Sequence, residues 1–427
     1  MKTRFIHSIM LSLLTLIASK EIFAVDEKPA PTVTASQDGF LLKAPDKSFQ
    51  IRLKGYLQTD GRFFSGDEVP GAVDTFVLRR ARTIVEGTVF EYFDFNLSPD
   101  FGGGTAVLKD AYLEAKFAPW FKLRAGKFKV PLGLERLQSS ASTLFTETAL
   151  PTQLTPDFDV GVQIHGEGFE GVLNYALGVF NGVADGASSD ADTDKNKHVA
   201  GRIWLQPFKM GGNDGLKNFG LGVAGTQGKP EGTTVSAYKS AGQNSFFAYG
   251  AGTVENGTHT RFSPQASYYF GPFGLFAEYV SSKLDLLRVT PANPLVLGSV
   301  SSTSSGSVEN KAWQASASYV LTGEDASYKG VSPKINFDPE AGTYGAFEIA
   351  ARYGELDVDD AVFSKKLASI STAANKAKEW AVGLNWYWNK NVKWVLDYSQ
   401  TDFSGGAVLG QDRPTEQAIL TRLQLSY

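Results

Sequence analysis

The chain ends on the stretch TRLQLSY, residues 421–427, in which the side chains alternate in polarity up to the last residue. Successive side chains of a β-strand point to opposite faces, so this pattern predicts a strand that runs to the terminal carboxylate. A closed barrel needs such a strand, because its last strand must pair with its first and an open edge cannot face lipid. One side of the stretch carries Thr421, Leu423, Leu425 and Tyr427, and the other carries Arg422, Gln424 and Ser426.

The same alternation recurs along the chain, for example in SFQIRLKGYLQTDGRFF (residues 48–64) and EYFDFNLSPD (residues 91–100). We count about sixteen such segments, an even number of the kind that bacterial outer-membrane barrels have. The chain also contains 30 Phe, 16 Tyr, 7 Trp and 44 Gly and no Cys, which suits a barrel with aromatic girdles and no disulfides. The predicted fold is therefore all-β, a transmembrane antiparallel β-barrel of about sixteen strands.

The N-terminal residues 1–24 place Lys2 and Arg4 ahead of an apolar run, which is typical of a secretory signal peptide. A buried N-terminal helix is the alternative, but no cap or amphipathic period accompanies the run. We expect a linker rich in Pro and Ala at residues 25–45 and the barrel domain at residues 46–427. No later apolar run approaches the ~20 residues of a membrane helix.

The connections differ in length between the two ends of the predicted barrel. Very short turns lie at GPFG (residues 271–274) and NKN (residues 389–391), whereas alternate connections such as residues 181–197 are long and polar. This asymmetry is typical of outer-membrane barrels, and residues 323–342 are the exception that we note, a long connection at the short-turn rim. A soluble sandwich would also alternate. It is disfavoured because the polar faces carry many charges and aromatic residues gather at strand ends, as in residues 386–394.

The connection KFKVPLGLERLQSSASTLFTETALPTQLTPDFD, residues 127–159, is of a different kind. It is rich in Leu, Phe and Pro and, unlike the other long loops, poor in charge and glycine. In a solvated loop these apolar side chains would stay exposed to water, whereas they stabilise the fold only when they are packed away from water. We therefore expect this loop to fold into the barrel and to narrow the pore.

Eight spaced segments share one resemblance: FVLRRARTIVEG, LKDAYLEAKF, LRAGKFKVPLGLERLQSS, LFTETALP, GVFNG, YVLTGE, GAFEIAARYGELDVDD and GLNWYWNKNVKWVLDY. They resemble the phosphate-selective porin family, the porins O and P, from about residue 40 to residue 427. The resemblance implies a homotrimeric channel in the outer-membrane lipid whose constriction attracts phosphate or pyrophosphate. Outer-membrane barrels commonly end on an aromatic residue that the barrel assembly machinery reads, which makes that machinery an expected partner.

The resemblance also implies roles for individual residues. Arg136 matches the basic residue of the family's central anion site, and Ser139 and Ser140 match the hydroxyl donors of that site. Arg79 and Arg80 match paired arginines in the wall of the pore. These residues are candidates for the anion-binding constriction.

Some positions leave alternatives open. Asp100 resembles the acidic residue near the family's site, but Tyr56 replaces an arginine common in the first strand, and Phe158 stands where many relatives have arginine. These departures allow a general, weakly selective porin. A barrel that serves mainly as a surface adhesin or scaffold is a further alternative. Arg136 itself could be structural, paired with Glu135 or with another carboxylate of the loop.

The parity of the segment FVLRRARTIVEG adds an independent argument. Arg80 and Arg82 share the face opposite to Ala81 and Thr83, so both arginines should face the lumen. Arg79 has the lipid-side parity and reaches the pore only if the strand twists or bulges there. Because a guanidinium group fits phosphate oxygens with two donors, these side chains suit an anion constriction.

Other functional classes have little support. The acids of SDADTDKNK (residues 189–197) alternate as in a calcium loop, but the glycine and the glutamate that such a loop needs are missing. His165, His198 and His259 lack metal-ligand spacing, and no nucleophile motif points to an enzyme. We therefore predict no cofactor and no metal. The net charge of -4 speaks against a nucleic-acid partner and leaves anion preference to local placement.

Overall fold

The computed structural model describes residues 30–427 except 67–68, 193, 213 and 293–300, so the predicted signal peptide and residues 25–29 of the predicted linker lie outside the described residues. The main sheet is antiparallel and closes on itself where β21 pairs with β3. β11 and β12 occupy the same position in the barrel wall and count there as one strand. The barrel then has sixteen strands, as the alternation predicts. In the described residues, no helix has the length and hydropathy to span a membrane.

The strands are β1 (Thr32–Ser36), β2 (Gly39–Lys43), β3 (Phe49–Ser65), β4 (Thr75–Val89), β5 (Phe93–Asp100), β6 (Val107–Ala118), β7 (Phe121–Lys129), β8 (Phe158–Gly168), β9 (Leu173–Phe180), β10 (His198–Leu205), β11 (Gly220–Gly228), β12 (Glu231–Thr234), β13 (Tyr238–Lys239), β14 (Ser245–Phe247), β15 (Thr253–Phe270), β16 (Phe273–Thr290), β17 (Ser302–Val320), β18 (Ala346–Asp357), β19 (Ala374–Tyr387), β20 (Val392–Gly405) and β21 (Glu416–Ser426). Two short helices are α1 (Leu134–Leu137) and α2 (Ala361–Ser364).

The alternating apolar and polar residues of the strands form the outer and the inner face of the barrel wall. On β21, Leu423 and Leu425 are exposed on the outside, while Arg422 and Gln424 are buried on the inside. Apolar residues that face outward can contact lipid without loss, and polar residues that face inward find partners in the lumen. The same division applies to β3, whose Leu57 is exposed beside the buried Gln58.

The closing seam between β21 and β3 extends to the last residue. The N–H of Tyr427 donates to the carbonyl of Gly55 (2.9 Å), and the N–H of Gly55 donates to the carbonyl of Tyr427 (2.8 Å). A Cβ at Gly55 would lie 2.9 Å from the hydroxyl oxygen of Tyr427, so the ring of Tyr427 needs a glycine beneath it. The pairing of the last strand with β3 therefore continues to Tyr427, as the terminal alternation predicts.

Deleting residues 425–427 should lower the amount of assembled barrel in the membrane several-fold. The deletion removes the pairs of Leu425 with Leu57 and of Ser426 with Tyr56, together with both hydrogen bonds to Gly55, and so opens the seam to lipid. The measurement is the yield of heat-modifiable protein in outer-membrane fractions. A wild-type yield from the deletion variant would contradict the prediction.

The described part of the predicted linker is an ordered hairpin. β1 pairs with β2, and β2 pairs with residues 50–53 of β3 just below the end of β21. Lys390 contacts Asp38 at 2.6 Å, and Asn391 Nδ2 donates to the carbonyl of Gln37 at 2.8 Å. The hairpin forms because β3 extends beyond Tyr427 and leaves backbone groups that need partners. The linker prediction therefore requires this correction over residues 32–43.

Two long connections occur at the rim with the short turns. One is residues 321–345, which the sequence already marks as an exception, and the other is residues 206–219, which the sequence analysis did not single out. The first of them reaches the interior of the barrel. The Tyr328 hydroxyl donates to the carbonyl of Leu134, and Gln138 Nε2 donates to the carbonyl of Tyr328 at 2.7 Å. This segment therefore supports the loop between β7 and β8 from below.

Candidate functional site

The loop between β7 and β8, residues 130–157, packs against inward-facing side chains of the wall. Its Leu150 and Leu154 are buried in a cluster with aromatic residues of β13 and β14 and apolar residues of β16 and β17. Side chains of β19, β20 and β21 also bond its backbone: Asn385 Nδ2 to Leu144 O (2.9 Å), Lys393 Nζ to Thr143 O (3.0 Å), Gln424 Nε2 to Ala141 O (3.0 Å) and Thr146 N to Asp397 Oδ2 (2.6 Å). These contacts hold the loop in one position within the barrel.

Two buried glutamates hold helix α1 at the start of the loop. Glu278 accepts the first backbone N–H of α1 at 2.6 Å, and Gln314 Nε2 donates to both Glu278 and Glu135 at 2.9 and 2.8 Å. Burial raises the pKa of Glu135. Its nearest cation is Arg352, at 3.8 Å, so Glu135 is not the ion-pair partner of Arg136 that the structural alternative suggests.

Beside the loop lies a cavity of about 540 Å³. It is bounded by β4 to β7, by the loop itself, and by Gly186 and residues between 236 and 243, which belong to two other connections at the same rim. More basic than acidic side chains line it, although the whole chain has a net charge of -4. The positive charge is therefore placed locally. The basic lining residues are Arg79, Arg80, Arg82, Lys109, Lys129, Arg136 and Lys239, and the acidic ones are Asp100, Glu135, Glu147 and Asp157.

Arg79 reaches the cavity through a bulge. The register of β4 against β3 shifts between Gln58 and Thr59, which leaves Arg79 without a cross-strand partner and turns it inward. Its Nε and Nη2 donate to the two carboxylate oxygens of Glu147 at 2.6 and 3.0 Å, and Arg62 adds a contact at 3.2 Å. Burial opposes ionisation of Glu147, but Arg79 outweighs it and holds the pKa of Glu147 well below its usual range. Arg79 is thus committed to this carboxylate.

Arg82 and Asp100 form a second committed pair. Arg82 Nε and Nη2 donate to one oxygen of Asp100 at 3.1 and 2.9 Å. The other oxygen accepts the backbone N–H groups of Ala81 (3.0 Å) and Gly102 (3.1 Å). Two N–H groups of Arg82 and two backbone N–H groups thus bind the Asp100 carboxylate. Because the carboxylate and the guanidinium group compensate each other, this pair contributes little net charge to the cavity.

Arg80 and Lys129 have only uncharged partners. Arg80 Nη1 donates to Gln58 Oε1 at 2.7 Å, and Lys129 Nζ donates to the carbonyl of Gln138 at 2.7 Å. Within the described part of the chain, neither has a carboxylate at ion-pair distance. Both cations can therefore attract an anion that enters the cavity.

The guanidinium group of Arg136 is partly bound to the loop and partly available to the cavity. Its Nε donates to Thr155 Oγ1 at 3.1 Å and its Nη2 donates to the carbonyl of Thr152, so it braces the loop from within. Its Nη1 lies 3.7 Å from Asp157 Oδ1, which is an ion pair with another carboxylate of the loop, as the structural alternative allows, but is too far for a hydrogen bond. Part of the guanidinium group therefore remains available to the cavity.

The two serines that the resemblance points to are separated. Ser140 lines the cavity, and its carbonyl accepts from Gln58 Nε2 at 2.9 Å. Ser139 lines a different chamber of about 630 Å³ on the short-turn side, together with Tyr56. Only one of the two serines therefore lines the cavity that holds the cations.

Aromatic rings occupy the two positions, 56 and 158, at which the family resemblance leads us to expect arginine. The Phe158 ring centre lies 5.3 Å from Lys109 Nζ, 5.7 Å from Lys129 Nζ and 5.9 Å from Arg82 Cζ. The Tyr56 ring is 5.3 Å from Arg82 Cζ. An aromatic face attracts a cation, so these rings stabilise the basic side chains around them in place of adding a charge.

The chain is similar to known proteins over most of its length. The family model "Phosphate-selective porin O and P" matches residues 51–427. Porin O of Pseudomonas aeruginosa is 25% identical over 414 residues, which cover 90% of each chain. Among solved structures, the outer membrane channel DcaP of Acinetobacter baumannii aligns with a TM-score of 0.55 at 12% identity, over 90% of this chain and 99% of that one.

A second structural relative is the anion-selective porin from Comamonas acidovorans, with a TM-score of 0.53 at 13% identity, over 89% of this chain and 100% of that chain. At such identities both structures support the fold alone. The family model, in contrast, spans nearly all of the predicted barrel domain. The chain belongs to the phosphate-selective porin O and P family, whose members are outer-membrane channels rather than enzymes.

Proposed function

We propose that this chain forms a passive outer-membrane channel that selects anions of the phosphate class, inorganic phosphate or pyrophosphate. The observation that carries the proposal is the pair Arg80 and Lys129, two cations in one cavity that have no carboxylate within ion-pair distance among the described residues. Family membership and the similarity to Porin O of Pseudomonas aeruginosa support the same function.

In this proposal the loop of residues 130–157 constricts the lumen and Arg136 adds a partly available guanidinium group. Ser140 offers a hydroxyl group that can replace part of the hydration shell of the anion. Arg79, Arg82 and Asp100 are structural members of the site, because close ion pairs engage them. Ser139 is not a member of this cavity, because it lines the chamber on the short-turn side.

The charges favour phosphate over chloride in a simple way. A pair of unit charges at ~4 Å is worth about 1 kcal/mol in water and about 4 kcal/mol at an effective dielectric constant of 20. A divalent phosphate gains roughly twice what chloride gains from the same two cations. The attraction must remain moderate, because an ion that binds too tightly does not leave the channel.

The quaternary state follows from the family resemblance, and we propose a homotrimer. A trimer in the outer membrane should resist mild detergent and should convert to a faster- or slower-migrating unfolded chain only after heating. The measurement is gel migration of unheated and heated protein, combined with crosslinking. A detergent-free, water-soluble monomer would contradict both the trimer and the membrane location.

The proposed selectivity is tested by the zero-current potential of single channels under a gradient of potassium chloride. We expect the sign that corresponds to anion selectivity, with a further shift when phosphate replaces chloride on one side. A zero-current potential near zero would support the general, weakly selective porin instead. Lys239→Met is a useful companion variant, because Lys239 lies at the exposed edge of the same cavity and should change the potential only slightly.

A further inference from the structure

Asp157, at the end of the inward loop, differs from the other acids of the cavity. Its Oδ1 lies 3.7 Å from Arg136 Nη1 and its Oδ2 lies 3.7 Å from Lys109 Nζ. Both separations exceed hydrogen-bond distance, whereas Asp100 and Glu147 hold their arginines at 2.6–3.2 Å. Asp157 therefore lies close to two cations without forming a hydrogen bond to either of them.

The backbone and one oxygen of Asp157 are fixed from the other side. Its N–H donates to the carbonyl of Ala187 at 2.9 Å, and its carbonyl accepts from Val130 at 3.1 Å. The Ser188 hydroxyl donates to Asp157 Oδ2 at 3.1 Å, and the same hydroxyl oxygen accepts the N–H of Phe158 at 3.2 Å. These bonds hold the carboxylate back from the two cations.

The carboxylate is ionised at neutral pH. Burial disfavours the charged form of Asp157, but Arg136, Lys109 and Lys129 outweigh it and hold its pKa below the usual range. The side chains of Asp157 and Arg136 are 15% and 16% exposed, so both can be reached from the cavity. An anion that enters the cavity thus meets cations that already share a negative neighbour, of which Arg136 and Lys109 lie nearest to Asp157.

We propose that Asp157 is a specificity-determining residue of the channel, a resident counter-ion that competes with the permeating anion for Arg136 and Lys109. The inference rests on the proposed anion-selective function. A divalent phosphate has the charge to take over both cations, while chloride has to share them with the carboxylate. After the anion binds, its repulsion from Asp157 shortens its stay and keeps the flux high.

Two variants of Asp157 should shift phosphate binding in opposite directions. Asp157→Asn removes the charge and keeps an oxygen for Ser188, so the phosphate concentration that half-blocks the chloride current should fall by about tenfold, the effect of one charge at ~4 Å in a partly hydrated site. The maximal phosphate current should fall as well, because release becomes slower. Asp157→Glu reaches further toward the cations and should raise the half-blocking concentration.

Chloride provides a second readout that a merely structural role would not move. In Asp157→Asn, chloride no longer shares the two cations, so its conductance should saturate at a lower salt concentration than in wild type. Asp214→Asn is the matched control, because it removes the same charge from an exposed side chain in the connection of residues 206–219, at the opposite rim from the cavity. It should leave both readouts at wild-type values.

The outcomes separate this inference from the function on which it rests. Phosphate block in wild type that is unchanged or weaker in Asp157→Asn would overturn the role of Asp157 and leave the channel function intact. A shift of both Asp157 variants in the same direction would mean that the loop is distorted, which also overturns the inference. Absence of phosphate block in wild type would overturn both proposals.

Discussion

Replacing Arg80 by Gln and Lys129 by Met in one chain is expected to abolish the block of chloride current by phosphate. The two cations are the ones that face the cavity with uncharged partners, Gln58 and the carbonyl of Gln138. At an effective dielectric constant between those of water and protein, each cation contributes about 1 to 4 kcal/mol to a unit charge at ~4 Å, and more to a dianion. The half-blocking concentration should therefore rise by about a hundredfold or more.

Single variants should each lose about tenfold in phosphate binding while the channel stays open, because neither residue holds the barrel together. The control is Lys195→Met combined with Lys217→Met, which removes two positive charges from exposed positions in connecting loops. This control should block like wild type. Equal effects in the control and in the double variant would mean that overall charge, and not the cavity, sets the affinity.

Asp60→Ala is expected to cause the largest loss of stability. Asp60 and Arg422 face each other across the closing seam, and both hydrogen bonds between them are 2.7 Å long. Both side chains are at most 1% exposed. Removing one member of a buried ion pair leaves an uncompensated charge and costs about 3 to 5 kcal/mol.

The seam variants are compared by the temperature, or the denaturant concentration, at which the folded band converts to the unfolded one. Asp60→Ala should lower this midpoint strongly. The double change Asp60→Leu with Arg422→Met should recover much of it, because two apolar residues of similar volume leave no charge unpaired. If the single change has no effect, water from the lumen already solvates Arg422 and the pair does not stabilise the seam.

The barrel and its lumen-facing arginines follow from the sequence because they depend on alternation, a local property. The parity of FVLRRARTIVEG places Arg80 and Arg82 inside, and the structure confirms this. The conditional expectation for Arg79, that only a bulge brings it inward, is also confirmed. Lys109 was missed because it too lies at a bulge, where the register shifts between Ser98 and Pro99 and parity no longer indicates the face.

The sequence could not show which charges neutralise each other, because those contacts join distant segments. Glu147 of the loop meets Arg79 of β4, and Asp157 meets Lys109 of β6. Lys129 was missed because its place beside the cavity depends on the path of the loop that follows it. Ser139 and Ser140 are adjacent in sequence but line different chambers, because they lie in a turn that the bond from Ser142 N–H to the carbonyl of Ser139 closes.

The central claim is that this channel binds phosphate inside its lumen while remaining permeable. The most direct measurement is the single-channel chloride current of the wild-type protein in a planar bilayer as phosphate is added at constant ionic strength. The account predicts a saturable decrease of the current that reverses when phosphate is removed and is lost in the Arg80 and Lys129 double variant. A current that changes only in proportion to the composition of the salt, without saturation, would contradict it.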